Sequence, residues 1–276
     1  MPDHPDFIEF RELTKVFEQE NGRDVAVIDP LDLSIAEGEF VVFVGPSGCG
    51  KTTVMRMVGG LETPTTGDVL LRGRPVTGPS REKGMVFQSY SSFPWLTVLR
   101  NIRFGLRYRR DVTEAEKDRI ARHYLDIVGL APFSDFYINR ISGGMRQRVA
   151  IARTLAADPL VLLMDEPFGA LDALTRERLQ LQLLGLRKVE RKTVIFTTHD
   201  VDEAVFLADR IIVFSARPAR VLKDIEVRAE LPRDRTLEVM ELPAFRRLRR
   251  EVLALIRNEE QKIETGEQEI LSEQGV

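Results

Sequence analysis

Gly45-Pro46-Ser47-Gly48-Cys49-Gly50-Lys51-Thr52 is the stretch that leaves this chain the fewest ways to fold. It fits G-x-x-x-x-G-K-[ST], and its setting matters as much as its letters. An apolar run, Phe40 to Val44, precedes it, and apolar residues at helical spacing from Lys51 to Gly60 follow. Strand, Gly-rich loop and helix in that order let main-chain N–H groups curl inward at the positive end of a helix, which makes a cradle for a polyphosphate. Lys51 is then placed to reach the terminal phosphates and the Thr52 hydroxyl to take one Mg²⁺ position, with Thr53 following at the helix head. Cys49 occupies a variable position of the loop and reads as filler, not as a redox site.

The rest of the chain supplies a frame for that loop. Short β-rich runs come first, at Phe7 to Leu13, Ala26 to Ile35 and Glu39 to Val44, and strands return at Asp68 to Arg72 and Gly84 to Phe87. Three helical patterns follow, Thr97 to Arg109, Thr113 to Gly129 and Gly143 to Ala157. After them strand and helix alternate: strand Leu160 to Asp165, helix Leu174 to Val189, strand Thr193 to Thr198, helix Val201 to Leu207, strand Arg210 to Phe214. Such alternation argues for an α/β fold with a mostly parallel sheet, whose ligands sit beyond the carboxyl ends of the strands. The pattern ends with a helix at Ala244 to Ile256 and a polar, glutamate-rich tail from Arg257 onward. In that helix Phe245, Leu248, Val252 and Ile256 form an apolar stripe opposite Arg246, Arg249 and Arg250; docking on the domain is the favoured reading over lipid or nucleic-acid binding.

Asp165-Glu166 closes the apolar run from Leu160 to Met164. Burying an unpaired carboxylate there is costly, so a bound cation at Asp165 is a natural explanation, while Glu166, one residue on, suits a base that orients or deprotonates water. Two merely solvated carboxylates are the alternative for such a pair in isolation. His199 closes the next strand, where it can hydrogen-bond a γ-phosphate. Ser142 is a plausible N-cap, and Gly143 and Gly144 leave the first N–H groups of the following helix bare, which makes a second anion-binding terminus.

Composition narrows the function classes. A net charge of −3 over 276 residues gives no global attraction to nucleic acid or to an anionic membrane. One cysteine excludes an intrachain disulfide and favours a reduced compartment. Residues Met1 to Phe10 lack the layout of a secretory signal, and no apolar run approaches the ~20 residues of a membrane-spanning helix.

Taken together, the phosphate loop, Gln88, Ser142-Gly143-Gly144, Asp165-Glu166, the Gly169-Ala170-Leu171-Asp172 loop and His199 have the order and spacing of an ABC-transporter ATPase, a family the sequence resembles from about Phe7 to Phe214. Phe87 to Leu96, Met145-Arg146-Gln147-Arg148 and Asp165 to Asp172 look like its nitrate, sulfonate and taurine importer branch, in which methionine at position 145 is common. The resemblance implies a P-loop NTPase core of RecA-like type, an N-terminal antiparallel β subdomain and an inserted α-helical subdomain. It implies residues 1–226 as the ATPase domain, with the insertion at approximately 89–158, and 227–276 as a helical extension and tail. ATP and Mg²⁺ are the implied ligands, with Asp165, Thr52 and Gln88 at the metal. Glu166, His199 and Gln88 are the implied catalytic residues.

The implied partners are a second copy of the chain, two transmembrane permease subunits and, through them, a solute-binding protein, with the chain peripheral on the cytoplasmic face of the membrane. Two copies stack head to tail, so that Ser142, Gly143 and Gly144 of one cover the γ-phosphate held by Lys51 of the other, and Asp172 lies across their interface. Phe17 falls where the family stacks adenine on an aromatic, although a strand-end core position is also open. Tyr90, Phe93 and Trp95 are candidates for a groove read by the permease, or for core. A soluble ABC ATPase acting on nucleic acid or the ribosome is the runner-up, but it usually brings paired ATPase halves, coiled coils or zinc insertions that this sequence lacks. A GTPase is disfavoured because no Asn-Lys-x-Asp run appears.

Overall fold

The computed structural model describes residues 7–18, 22, 24–88, 91–169, 171–189 and 192–273, with backbone alone at 188–189 and 266–273. In chain order the elements are β1 (Ile8–Glu18), β2 (Asp24–Ile35), β3 (Phe40–Val44), α1 (Lys51–Gly59), β4 (Thr66–Leu71), β5 (Arg74–Pro75), β6 (Lys83–Val86), α2 (Val98–Phe104), α3 (Glu114–Ile127), α4 (Gly143–Ala156), β7 (Val161–Asp165), α5 (Ala173–Val189), β8 (Thr193–Thr197), α6 (Val201–Leu207), β9 (Arg210–Phe214), β10 (Val221–Glu226) and α7 (Pro243–Glu273). These are the elements of a RecA-like P-loop core with an N-terminal antiparallel sheet and an inserted helical subdomain, as expected. The chain divides into two compact units, one of Met1–Gly78 with Thr197–Val276, the other of Pro79–Phe196.

In the first unit β1 pairs antiparallel with both β2 and β4, giving the order β2-β1-β4-β5. A second set runs β10-β9-β3, with β9 parallel to β3 and β10 antiparallel to β9. Every residue of β3 is buried, as are Ile211 to Phe214 of β9, and Phe43 meets Phe214 edge-on at 5.2 Å between ring centroids. Runs of Val, Ile and Phe apolar on both sides are what a strand covered on both faces needs. The short helix α6 is held at both ends. Asp200 caps its first turn by accepting from Glu203 N at 3.1 Å, and the buried Arg235 guanidinium donates to the carbonyls of Val205, Phe206 and Ala208 at 3.2, 2.9 and 2.7 Å. A cation on the last carbonyls satisfies acceptors that the helix leaves orphaned. Against α6 and β9 packs α7, which buries Phe245, Leu248 and Val252, while Arg249 reaches Asp202.

In the second unit β8, β7 and β6 are neighbours in that order, β6 parallel to β7. The helices α2, α3 and α4 pack on one another. Thr113 and Glu116 form a reciprocal capping box at the start of α3, and Gly129 follows its end at φ 65°. At Gly105 an added Cβ would lie 2.2 Å from the Arg153 carbonyl oxygen, so the end of α2 meets α4 main chain to main chain and only glycine fits.

Three expectations change. The helix expected at Thr97 to Arg109 ends at Phe104, one residue before that glycine contact. The polar tail is helical: α7 runs to Glu273, because Arg257 onward is rich in Glu and Gln, good helix formers without an apolar face to announce them. The edge strands β5 and β10 carry too few buried residues to show an alternating pattern. No described helix is long and apolar enough to cross a membrane.

Candidate functional site

In the first unit, β3 delivers the chain to the Gly-rich loop and α1 receives it. Gly45 adopts φ 154°, and a Cβ there would stand 2.7 Å from the Phe214 carbonyl, so the loop passes directly over β9. Gly50 adopts φ 123° beside Val27 Cγ1 and Ala219 Cβ, and as the N-cap of α1 it offers no side chain to the first-turn N–H groups. The Lys51 side chain is buried inside the curl, its Nζ donating to the carbonyls of Gly45 at 2.8 Å and Pro46 at 2.9 Å. Cys49 is buried with its Sγ 3.7 Å from that Nζ, which fits the filler role, while Ser47 and Gly48 are exposed at the crest. Thr52 and Thr53 are half-buried in the first turn. A buried ammonium, a curled main chain and an uncapped helix head converge on one small volume, an arrangement suited to phosphate oxygens.

Beside the loop, Thr198 N–H donates to the Phe43 carbonyl at 3.4 Å, which brings the end of the segment carrying His199 alongside β3. His199 itself is exposed between Thr198 and the Asp200 cap. Phe17 pairs with Val25 across β1 and β2 and is 38% exposed, with Lys15 Nζ 4.6 Å from its ring centroid. The ring is thus partly covered, with the Lys15 ammonium over it.

The second unit gathers the carboxylates. All of β7 is buried, Asp165 included, and the chain leaves the strand through Glu166 at φ 43°. A left-handed glutamate is uncommon and strained, and such strain concentrates where a side chain must be aimed. Gln88 Nε2 donates to Glu166 Oε2 at 3.1 Å, so two expected site residues meet. Among the described residues no group of three or more His, Cys, Asp or Glu forms a metal cage. One buried carboxylate as an oxygen donor suits Mg²⁺, which takes one or two carboxylates and fills its remaining positions with phosphate oxygens and water.

On α4, Ser142 Oγ accepts from Met145 N at 3.3 Å, the cap expected, and Ser142 is exposed with Gly143 and Gly144 half-exposed after it. A Cβ on Gly144 would lie 3.1 Å from Leu171 Cδ2, so the loop ending at Asp172 packs on the first turn of α4. Asp172 caps α5 by accepting from Thr175 N at 3.0 Å, a bond that holds its carboxyl below the usual range. Ala170 of that loop lies outside the described residues, as does Tyr90. Of the other two aromatics, Phe93 packs on Phe104 and under Arg153 with its main chain bound by Asn101, whereas Trp95 is 69% exposed. A cavity of about 710 Å³ is lined by Leu96, Leu99, Arg103 and Phe104 with Glu114 and Lys117 of α3, and Trp95 is not part of it.

Two contributors escaped the sequence reading. Asn101, fully buried, ties Phe93, Leu96 and Thr97 together through its amide, and Arg217 reaches the crest of the phosphate loop. A lone Asn in a helix and a lone Arg in a loop carry no motif by which to find them.

Comparison with known proteins follows the same lines. The ABC transporter family model matches residues 28–169. An uncharacterized ABC transporter ATP-binding protein of Methanocaldococcus jannaschii is 49% identical over 248 residues, 90% of this chain and 90% of that protein. The nitrate import ATP-binding protein of Synechocystis sp. is 44% identical over 257 residues, 92% of this chain and 96% of its own length. Among solved structures, a dimeric ATP-binding cassette in a post-hydrolysis state, bound to ADP and Pi, superposes with a TM-score of 0.72 at 32% identity, covering 80% of this chain and 98% of that one.

Proposed function

Since the chain belongs to the ABC transporter family as an ATP-binding subunit, we propose that it hydrolyses ATP to drive an importer for a small oxyanion or organosulfur solute. The observation that carries this is the Lys51 ammonium, buried within the curled loop at the head of α1. Main-chain N–H groups of Gly45 to Thr53 and the Lys51 charge hold the phosphates. Thr52, Gln88 and Asp165 would hold Mg²⁺, which when bound offsets the negative charge of the phosphate oxygens. Glu166 orients the attacking water and takes its proton, Gln88 positions Glu166, and His199 donates to the γ-phosphate. Phe17 stacks on adenine.

The working form is a head-to-tail homodimer. A dimeric relative at 32% identity supports it, as does the exposure of Ser142 at an uncovered helix terminus. In that dimer Ser142, Gly143 and Gly144 of one copy meet the γ-phosphate held by the other. Closure is favoured by contacts to the γ-phosphate that ADP does not make, and hydrolysis removes that differential affinity. Residues 1–226 form the ATPase domain, with 89–158 as its helical insertion and 227–276 as an extension. The permease reads closure from the membrane through the surface around Trp95, with the chain peripheral on the cytoplasmic side. A solute class of nitrate or sulfonate type is favoured by the 44% identity to a nitrate import protein and by the motifs from Phe87 to Leu96.

The test is ATPase activity of the chain assembled with its permease pair in liposomes. Nitrate or taurine presented with its binding protein raises turnover several-fold, whereas DNA or RNA leaves it unchanged. Stimulation by nucleic acid, with none by any loaded binding protein, would overturn the reading.

A further inference from the structure

We infer that Arg217 is a positioning residue for the phosphate loop and that the C-terminal helix α7 sets Arg217 through Glu259. The inference rests on the nucleotide reading above. The Arg217 guanidinium donates to the Gly48 carbonyl through Nη2 at 2.7 Å and Nε at 3.2 Å, two bonds from one planar fork onto the exposed crest of the loop. Gly48 has φ 71°, and a Cβ there would lie 3.6 Å from Arg217 Nη2, so the arginine lies over the loop. The carbonyls of Gly45 and Pro46 are held by Lys51 from inside.

The consequence follows from peptide geometry. In a trans peptide the C=O and the next N–H point opposite ways. Pinning the Gly48 carbonyl to Arg217 therefore turns the Cys49 N–H away from Arg217. That N–H donates to the Pro46 carbonyl at 3.4 Å, the carbonyl that Lys51 also binds. Arg217 thus fixes the orientation of the Gly48–Cys49 peptide, whose N–H a phosphate oxygen can take over from the Pro46 carbonyl, without itself touching the nucleotide.

The segment bearing Arg217 is itself fixed on both sides. After it, Ala219 N donates to the Val27 carbonyl at 2.8 Å and Asp29 N to the Ala219 carbonyl at 3.0 Å. Before it, Ala216 N donates at 3.0 Å to Glu259 Oε2, and Glu259 is only 5% exposed within α7. Burial opposes the charge on Glu259, but the bonds from Lys262 and Ala216 N outweigh it and hold the carboxyl below its ordinary range. A charged acceptor inside the protein makes a stronger bond than a neutral one. The helix that follows the last strand so reaches the phosphate loop through two links, Glu259 to Ala216 and Arg217 to Gly48.

Calorimetric titration of the full chain with Mg–ATP, alongside steady-state hydrolysis, tests this. Arg217→Ala raises Kd and KM for ATP about tenfold, the weight of a charge-assisted bond, with kcat within about twofold of wild type. Arg217→Lys, which keeps a donor for Gly48, recovers most of the loss. Glu259→Ala raises Kd about threefold, while Glu259→Gln, which keeps a neutral oxygen for Ala216 N, recovers part of that loss. Should Arg217→Ala fail to fold, Arg217→Gln against Arg217→Lys carries the same comparison. Wild-type affinity in Arg217→Ala, or equal effects of Glu259→Ala and Glu259→Gln, would overturn the inference. If the wild-type chain itself failed to bind ATP, the nucleotide reading would fall first, and the two failures are thereby told apart.

Discussion

Glu166→Gln turns over ATP about 10²- to 10⁴-fold more slowly than the wild-type chain while binding it undiminished, the usual weight of a lost general base. The substitution is well chosen for this site. Gln88 Nε2 donates to a Glu166 oxygen, and a glutamine at 166 still presents a carbonyl oxygen to it, so the pair keeps its geometry. The left-handed turn at φ 43° is a property of the main chain after β7 and is met by either side chain equally. What disappears is the ability to accept a proton from water. Single-turnover hydrolysis, with binding of a fluorescent ATP measured in parallel, separates the two effects. Hydrolysis at the wild-type rate would remove Glu166 from the role and shift attention to His199. Loss of binding along with turnover would instead mean that the carboxylate supports the site's structure.

Lys51→Ala acts at the other end of the account and weakens ATP binding about 10²-fold or more, as expected when charge-assisted bonds to phosphate are lost. The substitution removes the one ammonium buried in the loop, now joined to the Gly45 and Pro46 carbonyls at 2.8 and 2.9 Å and placed to move onto the phosphates. Titration calorimetry reads the change directly, and unaltered affinity would place the nucleotide elsewhere on the molecule.

How much of this was legible beforehand depends on the distance over which each signal acts. The phosphate loop, the Ser142 cap and the Asp165-Glu166 strand end are contiguous in sequence, and each carries its physics locally: glycines where the backbone turns, a hydroxyl where a helix begins, carboxylates where an apolar run stops. The structure leaves all three where the sequence puts them. Gln88 and Glu166 lie 78 residues apart, and only the family's spacing suggested that they meet. Arg217 and Gly48 are 169 residues apart, joined by a side chain to a carbonyl, and nothing in the composition or periodicity of either segment points to the other. An aromatic at a strand end such as Phe17 serves core and ligand alike, and a ring 38% exposed fits either role. The length of α7 has the opposite cause: beyond Ile256 apolar residues are too sparse in the sequence to form a stripe, so hydrophobic patterning falls silent while helix propensity persists.

The central claim is that a triphosphate is held by main-chain donors between Gly45 and Thr52. Crystals of the wild-type chain soaked with a non-hydrolysable ATP analogue and magnesium test it most directly. The account predicts the β- and γ-phosphates inside the loop, Lys51 Nζ moved from the Gly45 and Pro46 carbonyls onto their oxygens, and the Asp165 carboxylate turned to the cation. A loop that stays closed on Lys51 at saturating nucleotide, or an analogue bound at any other surface, would contradict it.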